Sequence, residues 1–185
     1  AVGQCELMYT YDKLFSEYHH TVAQLLITRD DTANEKRHTN FINTLNRLLE
    51  LDTIPIINEN DTIATDEIVI GDNDTLAAIV AQSVKADLLV LLSDIDGLYT
   101  ADPHKDENAV LIHRVNKVDE KIMALAGVSS TTQGTGGMVT KLHAAEICLG
   151  CGCDMVIANG ARPENLYDIL DGKAVGTRFT EKCLC

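Results

Sequence analysis

The sequence predicts an α/β fold, a three-layer α/β/α sandwich around a mostly parallel sheet. Apolar residues at helical spacing alternate along the chain with short apolar runs of strand length. One run, Leu-Leu-Val-Leu-Leu-Ser at 88–93, shows no alternation of polar and apolar side chains, which is typical of a strand covered on both faces. Because strands that alternate with helices form parallel sheets with helices on each side, these observations predict the fold class.

The predicted elements follow one another in a regular order. Helical spacing over 7–18 predicts a first helix, and the apolar run at 23–28 predicts the first strand. A helix over 41–49 and a strand over 54–57 repeat the pattern. The remaining predicted elements are a helix at 75–84, the strand at 88–93, helices at 119–126 and 141–149, a strand at 154–158 and a short helix at 165–170.

The composition excludes several functional classes. The chain has 185 residues, with 15 Lys and Arg against 28 Asp and Glu, and a formal net charge of −13. Such a chain is not a general nucleic-acid binder, because affinity for the phosphate backbone depends on clustered cations. No apolar run is long enough to span a bilayer and no signal pattern opens the chain, so we expect a cytoplasmic protein without a membrane partner. The length fits one domain.

Three cysteines lie close together in the sequence. Cys148, Cys151 and Cys153 form a C-x-x-C-x-C run that resembles part of a zinc or iron–sulfur site, and Cys183 or Cys185 would have to supply a fourth ligand. However, Cys148 ends an apolar helical pattern and Cys153 enters a strand, where small apolar residues are ordinary core material. We therefore interpret these cysteines as core residues and assign no metal site.

Polar side chains follow three predicted strands. In open α/β sheets, ligands bind beyond the carboxyl ends of the strands, so we expect these residues at one edge. The clusters are Asn-Glu-Asn-Asp at 58–61, then Ser93, Asp94 and Asp96, then Asn159 and Gly160. A fourth cluster, Gly-Asp-Asn-Asp at 71–74, precedes a predicted helix, where Asp72 or Asn73 would make a good N-cap.

A glycine-rich run lies at 134–141 and reads Gly-Thr-Gly-Gly-Met-Val-Thr-Lys. Glycines expose backbone N–H groups and the lysine adds a cation, and both suit a polyphosphate. The run is not a Walker A loop, because three residues separate its last glycine from Lys141. By itself it is equally consistent with a surface loop that binds nothing.

Four segments in order carry a family resemblance: PIINEND at 55–61, GDND at 71–74, LLSDIDGLYTADP at 91–103 and GTGGMVTK at 134–141. Together they closely resemble the glutamate 5-kinases of the amino acid kinase family, over residues 1 to about 179. The resemblance implies the amino acid kinase fold. It also implies transfer of the γ-phosphoryl group of ATP, with Mg²⁺, to the side-chain carboxylate of L-glutamate, the first step of proline biosynthesis.

The resemblance implies roles for individual residues. The predicted catalytic residues are Lys141, which contacts the ATP phosphates, and Asp74, which organises the catalytic lysines. Asp61 and Asn73 are expected to hold glutamate. The nucleotide-binding residues that the resemblance implies are Ser93, Asp94, Thr135, Gly136, Gly137, Met138, Val139, Thr140 and Lys141.

Some features of the family do not appear in this sequence. Family members begin with a strand, a glycine-rich turn, a second phosphate-contacting lysine and a serine that helps to bind glutamate. We therefore expect a partial catalytic domain over 1–179, an atypical tail at 180–185 and no PUA domain. We expect no turnover by this chain alone, which glutamate-dependent ATP consumption would contradict. The resemblance further implies a homo-oligomer, feedback inhibition by proline and functional coupling to glutamate-5-semialdehyde dehydrogenase.

Two alternative functions stay open at this point. Asp-Ile-Asp-Gly at 94–97 follows an apolar strand and resembles the Asp-x-Asp motif of haloacid-dehalogenase-type phosphatases, in which Asp94 would be a covalent nucleophile. The order of motifs speaks against it, because the second aspartate motif of that family comes late, whereas 71–74 comes before 94–97. The other alternative is a non-catalytic fragment that binds glutamate or proline.

Overall fold

The computed structural model describes residues 2–63, 72–103, 105–128 and 137–182. The chain divides into two compact units, Ala1–Leu76 and Ala77–Cys185. Within the described ranges the strands form one two-stranded and one four-stranded sheet, and each unit contains one of them. The length of the chain predicted one domain, whereas the contacts between residues separate these two units.

Unit 1, Ala1–Leu76, contains a parallel pair of strands and the helices around it. The strands are in register, with Thr21 opposite Thr53 and Ile27 opposite Glu59. Phe41 and Leu45 lie one helical turn apart and are both buried. Its elements are α1 (Val2–Ser16), β1 (Thr21–Ile27), α2 (Arg29–Ala33), α3 (Glu35–Glu50) and β2 (Thr53–Glu59), and α4 (Asn73–Val84) begins in this unit and ends in the next.

Unit 2, Ala77–Cys185, contains the four-stranded sheet in the order β3-β5-β6-β4. Its β3/β5 and β4/β6 pairs are parallel and its β5/β6 pair is antiparallel. With the parallel pair of unit 1, this confirms the mostly parallel sheet predicted from the sequence. The further elements are β3 (Leu88–Ser93), β4 (Arg114–Val115), α5 (Glu120–Val128), α6 (Met138–Gly150), β5 (Asp154–Asn159), α7 (Asn165–Leu170) and β6 (Thr177–Phe179).

Strand β5 is buried on both faces. On one face, Met155 and Ile157 belong to the main apolar core, together with Leu142 of α6. On the other face, Val156 forms a second cluster with Ile169 of α7. Helices therefore cover the sheet on both sides, as an α/β/α arrangement requires.

Strand β3 differs from the prediction that it is buried on both faces. Leu91 is buried in the main core, but Leu92 is 48% exposed. The face of β3 that carries Leu88 and Val90 packs against the cluster around Ile169 of α7. Because α7 has only six residues, it covers the start of this face and leaves Leu92 in contact with solvent.

Three helices begin earlier than predicted: α1 begins at Val2 instead of residue 7, α3 at Glu35 instead of residue 41, and α6 shows the difference that matters for the site. The predicted helix at 141–149 begins three residues earlier, at Met138. Met138, Val139, Thr140 and Lys141, which the sequence placed in a glycine-rich loop, therefore form the first turn of α6. Because Met138 is buried, its apolar side chain stabilises the additional turn at the amino end of the helix.

Candidate functional site

The carboxyl ends of β3 and β5 lie side by side. Ser93 pairs with Asn159 at the last position of the two strands. Just beyond it, the Gly160 N–H donates to the Ser93 carbonyl oxygen at 2.8 Å. The prediction that the polar residues after these two strands share one edge is confirmed.

Asp96 connects the two strand ends through its side chain. Asn159 Nδ2 donates to Asp96 Oδ1 at 3.0 Å, and the Tyr99 hydroxyl donates to Asp96 Oδ2 at 3.1 Å. Arg162 Nη2 lies 3.6 Å from Asp96 Oδ1. The sequence placed Asp96 at this edge but gave no indication of these partners, because Asn159 is 63 residues away.

Ser93 and Asp94, the predicted nucleotide-contacting pair, lie directly at the end of β3. Ser93 is half-buried and Asp94 is exposed. The Ser93 hydroxyl donates to Asp94 Oδ1 at 3.1 Å. The pair is thus accessible at the edge where open α/β sheets bind their ligands.

Lys141 lies in the first turn of α6 and is only 7% exposed. Gly137 caps this helix without a side-chain hydrogen bond, and the first turn contains no acidic residue. The amino end of a helix carries exposed N–H donors and a partial positive charge. A buried cation in the first turn of a helix is an arrangement suited to an anion such as phosphate.

The direction of α6 determines which edge of the sheet Lys141 approaches. Helix α6 has 13 residues and β5 has six, so both are about 20 Å long. Only residues 151–153 connect them, and α6 packs on β5. The chain therefore reverses direction, which brings the amino end of α6 to the carboxyl edge of β3 and β5.

Some of the remaining residues of the glycine-rich segment lie within the described ranges, and the others lie outside them. Gly137 is the N-cap of α6, and its carbonyl oxygen accepts from the Thr140 hydroxyl at 2.7 Å. Val139 is 41% exposed. Thr135 and Gly136 lie outside the described residues.

In unit 1 the predicted residues lie after β2 and at the start of α4. Asp61 is exposed in the turn that follows β2, where the Asn60 N–H donates to the Ile27 carbonyl oxygen at 2.8 Å. Asn73 is exposed and Asp74 is half-buried. The two residues predicted to hold glutamate, Asp61 and Asn73, and the residue predicted to organise the catalytic lysines, Asp74, therefore belong to unit 1.

Asp72 is the N-cap of α4, and it is one of the two residues that the sequence predicted for this position. Its Oδ1 accepts from the Thr75 N–H at 2.7 Å and its Oδ2 accepts from the Thr75 hydroxyl at 2.8 Å. Asn73 and Asp74 follow in the first helical turn. Capping thus uses Asp72, and the roles predicted for Asn73 and Asp74 stay predictions.

Two of the clustered cysteines are core residues, as predicted. Cys148 is fully buried and Cys153 is 2% exposed, whereas Cys151 is exposed. Burial first, and then the neighbouring Cys153 and Cys151, raise the pKa of the Cys148 thiol to about 12. A thiol that stays protonated at neutral pH is a poor metal ligand. Cys183 and Cys185 lie outside the described residues.

Within the described ranges there is neither a cluster of metal ligands nor a membrane-spanning helix. There, no three His, Cys, Asp or Glu side chains converge in a way that could hold a metal ion. None of the helices in the same ranges combines the length and the hydropathy needed to cross a bilayer.

The chain is similar to known proteins over nearly its whole length. The family model described as "Amino acid kinase family" matches residues 1–159. A glutamate 5-kinase of Clostridium tetani is 51% identical over 179 residues, which are 97% of this chain and 67% of that protein. A glutamate 5-kinase of Clostridium acetobutylicum is 53% identical over 182 residues, which are 98% of this chain and 68% of that protein.

A solved structure shows the same fold. The crystal structure of a T. acidophilum isopentenyl phosphate kinase product complex superposes with a TM-score of 0.64 at 18% identity. The match covers 96% of this chain and 66% of the other. This chain spans about two thirds of the length of the relatives it matches. None of these similarities supports the phosphatase alternative.

Proposed function

Since the chain belongs to the amino acid kinase family, and within it to the glutamate 5-kinases, we propose that it serves ATP-dependent phosphorylation of the L-glutamate side chain. The product is glutamyl 5-phosphate, which opens proline biosynthesis. The proposal rests on sequence identity. About half of the residues, over nearly the whole chain, are identical to those of proteins named glutamate 5-kinase.

The proposed chemistry needs no strong base. A glutamate carboxylate is ionised at neutral pH and is already the nucleophile. Its oxygen forms a bond to the γ-phosphorus as the bond to the β,γ-bridging oxygen breaks and ADP leaves. Charge on the transferred group must be stabilised throughout, which calls for cations and backbone N–H groups.

Unit 2 is proposed to bind the nucleotide. Lys141 supplies a cation for the phosphate oxygens, and the amino end of α6 supplies N–H donors beside it. Ser93 and Asp94 contact the nucleotide from the end of β3. Thr135 and Gly136 belong to the same proposed segment as Gly137–Lys141 in the sequence.

Unit 1 is proposed to hold glutamate. The Asp61 carboxylate pairs with the α-ammonium group, and the Asn73 carboxamide bonds the polar groups of the substrate. Both side chains are exposed and therefore available to a ligand. Asp74 is proposed to orient the phosphate-contacting lysines and not to abstract a proton.

Mg²⁺ is proposed to arrive with ATP. Magnesium in kinases is commonly bound by one or two carboxylates together with the substrate phosphates. The described residues do not build a metal site on their own, since no cluster of three candidate ligands lies among them. We therefore assign no residue of this chain to the ion.

The remaining proposals concern the setting of the reaction. An acyl phosphate hydrolyses readily in water, which favours functional coupling to an enzyme that consumes it, such as glutamate-5-semialdehyde dehydrogenase. A homo-oligomer, feedback inhibition by proline and a cytoplasmic location are proposed from membership of the family.

Calorimetric titration of the chain with MgATP tests the nucleotide site. Lys141→Met removes the cation and keeps a side chain of similar length at a buried position. We expect it to weaken MgATP binding about tenfold or more, because a charge-assisted contact is lost. Lys121→Met makes the same change at an exposed position of α5 and should leave binding unchanged. Equal affinity in all three proteins would overturn the nucleotide site.

Titration with L-glutamate tests the substrate site separately. Asp61→Asn should abolish saturable binding of glutamate, while Asp12→Asn on the exposed face of α1 should not. Hydroxylamine trapping of glutamyl phosphate by the complete gene product then tests turnover, which Asp74→Ala and Lys141→Met should each reduce about 10²–10³-fold. Saturable binding of glutamate or proline without any hydroxamate would favour the non-catalytic alternative instead.

A further inference from the structure

We propose that Asp96 is a positioning residue, which holds the Ser93–Asp94 pair in the place where the nucleotide binds. The inference rests on the proposed function, because it assumes that this pair contacts the nucleotide. It gives Asp96 a role that is separate from ligand contact. Three observations in unit 2 carry it: the partners of the Asp96 carboxylate, the fixed ends of the loop around it, and its position at the wall of a cavity.

The Asp96 carboxylate is bound by side chains from both sides of the strand edge. Oδ1 accepts from Asn159 Nδ2 at 3.0 Å, and Asn159 is the last residue of β5. Oδ2 accepts from the Tyr99 hydroxyl at 3.1 Å, three residues further along the loop. Arg162 Nη2 lies 3.6 Å from Oδ1. Since Asn159 also holds the Ala161 N–H through its Oδ1 at 2.9 Å, its amide is fixed in this orientation.

The loop that contains Asp94 and Asp96 is fixed at both ends. At its start, the Ser93 carbonyl oxygen accepts from the Gly160 N–H at 2.8 Å. At its end, the Leu98 N–H donates to Oγ1 of the fully buried Thr177 at 2.8 Å. Between these two points, the bonds of Asp96 fix the path of the chain. Asp94 lies within this interval, so its orientation depends on them.

The loop also has little room to move towards the sheet. A Cβ at Gly97 would lie 2.5 Å from Thr177 Oγ1, so the backbone passes directly over this side chain. If the Asp96 bonds are lost, the loop can therefore relax only away from the sheet. That displacement carries Asp94 away from the edge at which α6 begins, whereas Ser93 stays paired in β3.

The surroundings of the Asp96 side chain indicate that it positions the loop and does not bind the nucleotide directly. Its side chain lies at the wall of a cavity of about 250 Å³ that is also lined by His113, Asn159 and Arg162. Both carboxylate oxygens already accept hydrogen bonds from protein donors. Because the side chain is 41% exposed, removing its charge should change the loop more than the stability of the fold.

Calorimetric titration of Asp96→Asn with MgATP and with L-glutamate tests the inference. The substitution keeps the shape of the side chain and weakens its charge-assisted hydrogen bonds. We expect the Kd for MgATP to rise about tenfold and the Kd for glutamate to stay unchanged. Asp171→Asn is the matched control, because it makes the same chemical change at an exposed carboxylate after α7. It should alter neither Kd.

The outcomes separate the inference from the proposed function. If the unchanged chain shows no saturable binding of MgATP, both are overturned. If it binds MgATP and folded Asp96→Asn binds equally well, only the inference is overturned. Equal losses of affinity for both ligands also overturn it, because they indicate a general structural role.

A second variant and a spectroscopic measurement complete the test. Asn159→Ala removes the donor to Asp96 Oδ1 and leaves Asp96 itself intact, so it decides the question if Asp96→Asn does not fold. It should raise the Kd for MgATP in the same direction. Burial first, and then the hydrogen bond and charge of Asp96, raise the pKa of Tyr99. Tyrosine NMR should therefore show a lower Tyr99 pKa in Asp96→Asn, and an unchanged pKa would contradict the contact.

Discussion

Among the glycines that the structure describes, Gly176 leaves the least room for a side chain. Its φ is +64°, in the left-handed region that side chains with a Cβ disfavour. A Cβ at this position would lie 2.0 Å from the carbonyl oxygen of Ile157, in the buried strand β5. The close approach of two backbone segments therefore requires glycine here.

We expect Gly176→Ala to lower the free energy of unfolding by about 2–4 kcal/mol, because it combines backbone strain with a steric clash. Gly172→Ala is the matched control, since its φ is +78° but nothing lies within 4 Å of the added Cβ. It should cost about 1 kcal/mol, from the backbone alone. Urea unfolding of both variants measures the difference, and equal losses would show that the clash relaxes without cost.

The site residues show which features of the site can be predicted from the sequence at the scale of single residues. Ser93, Asp94 and Asn159 were predicted at one edge of the sheet, and the register of β3 and β5 places them there. The partners of Asp96 were not predicted. A hydrogen bond between residues far apart in the sequence leaves no local pattern, so only the paired strand ends reveal it.

At the scale of elements, the start of α4 depends on one side chain. Asp72 accepts from both the backbone and the hydroxyl of Thr75. Without these bonds, N–H groups of the first turn lose their acceptor. We expect Asp72→Ala to lower the free energy of unfolding by about 1 kcal/mol.

The control for this prediction is Asp72→Asn, which keeps an oxygen to accept from the Thr75 N–H. It should retain most of the stability, because asparagine is as good an N-cap as aspartate. Urea unfolding monitored by circular dichroism measures both variants. An Asp72→Ala protein as stable as the unchanged chain would show that the cap contributes nothing.

The predictability of each element depends on its length and on its partners. Helix α3 and strand β3 were predicted because their apolar residues are numerous enough to show a period. Strands β4 and β6 were not, because two and three residues are too few for any pattern. The sequence predicted too much burial for β3. The hydropathy of a strand cannot predict the length of the helix that covers it.

At the scale of the whole molecule, the dominant property is the net negative charge. A formal net charge of −13 on 185 residues implies mutual repulsion in the compact state. Raising the ionic strength screens this repulsion, from a Debye length of about 30 Å at 0.01 M to about 8 Å at 0.15 M. We expect the Tm at neutral pH to rise by a few degrees over this range of NaCl concentration. Differential scanning calorimetry measures it, and a Tm that falls or stays constant would show that favourable ion pairs outweigh the repulsion.

The sequence by itself determined the alternation of helices and strands, the family, and the identity of the residues proposed to bind nucleotide and glutamate. The alternation follows from local periodicity, and the family and the proposed residues follow from the resemblance that four short motifs in order along the chain carry. Only the tertiary structure decided that residues 138–140 belong to helix α6, that β5 is buried on both faces whereas β3 is covered only in part on one of them, and that Asp96 joins the two strand ends. Those features depend on contacts between segments distant in sequence, whose geometry packing settles after the local elements have formed.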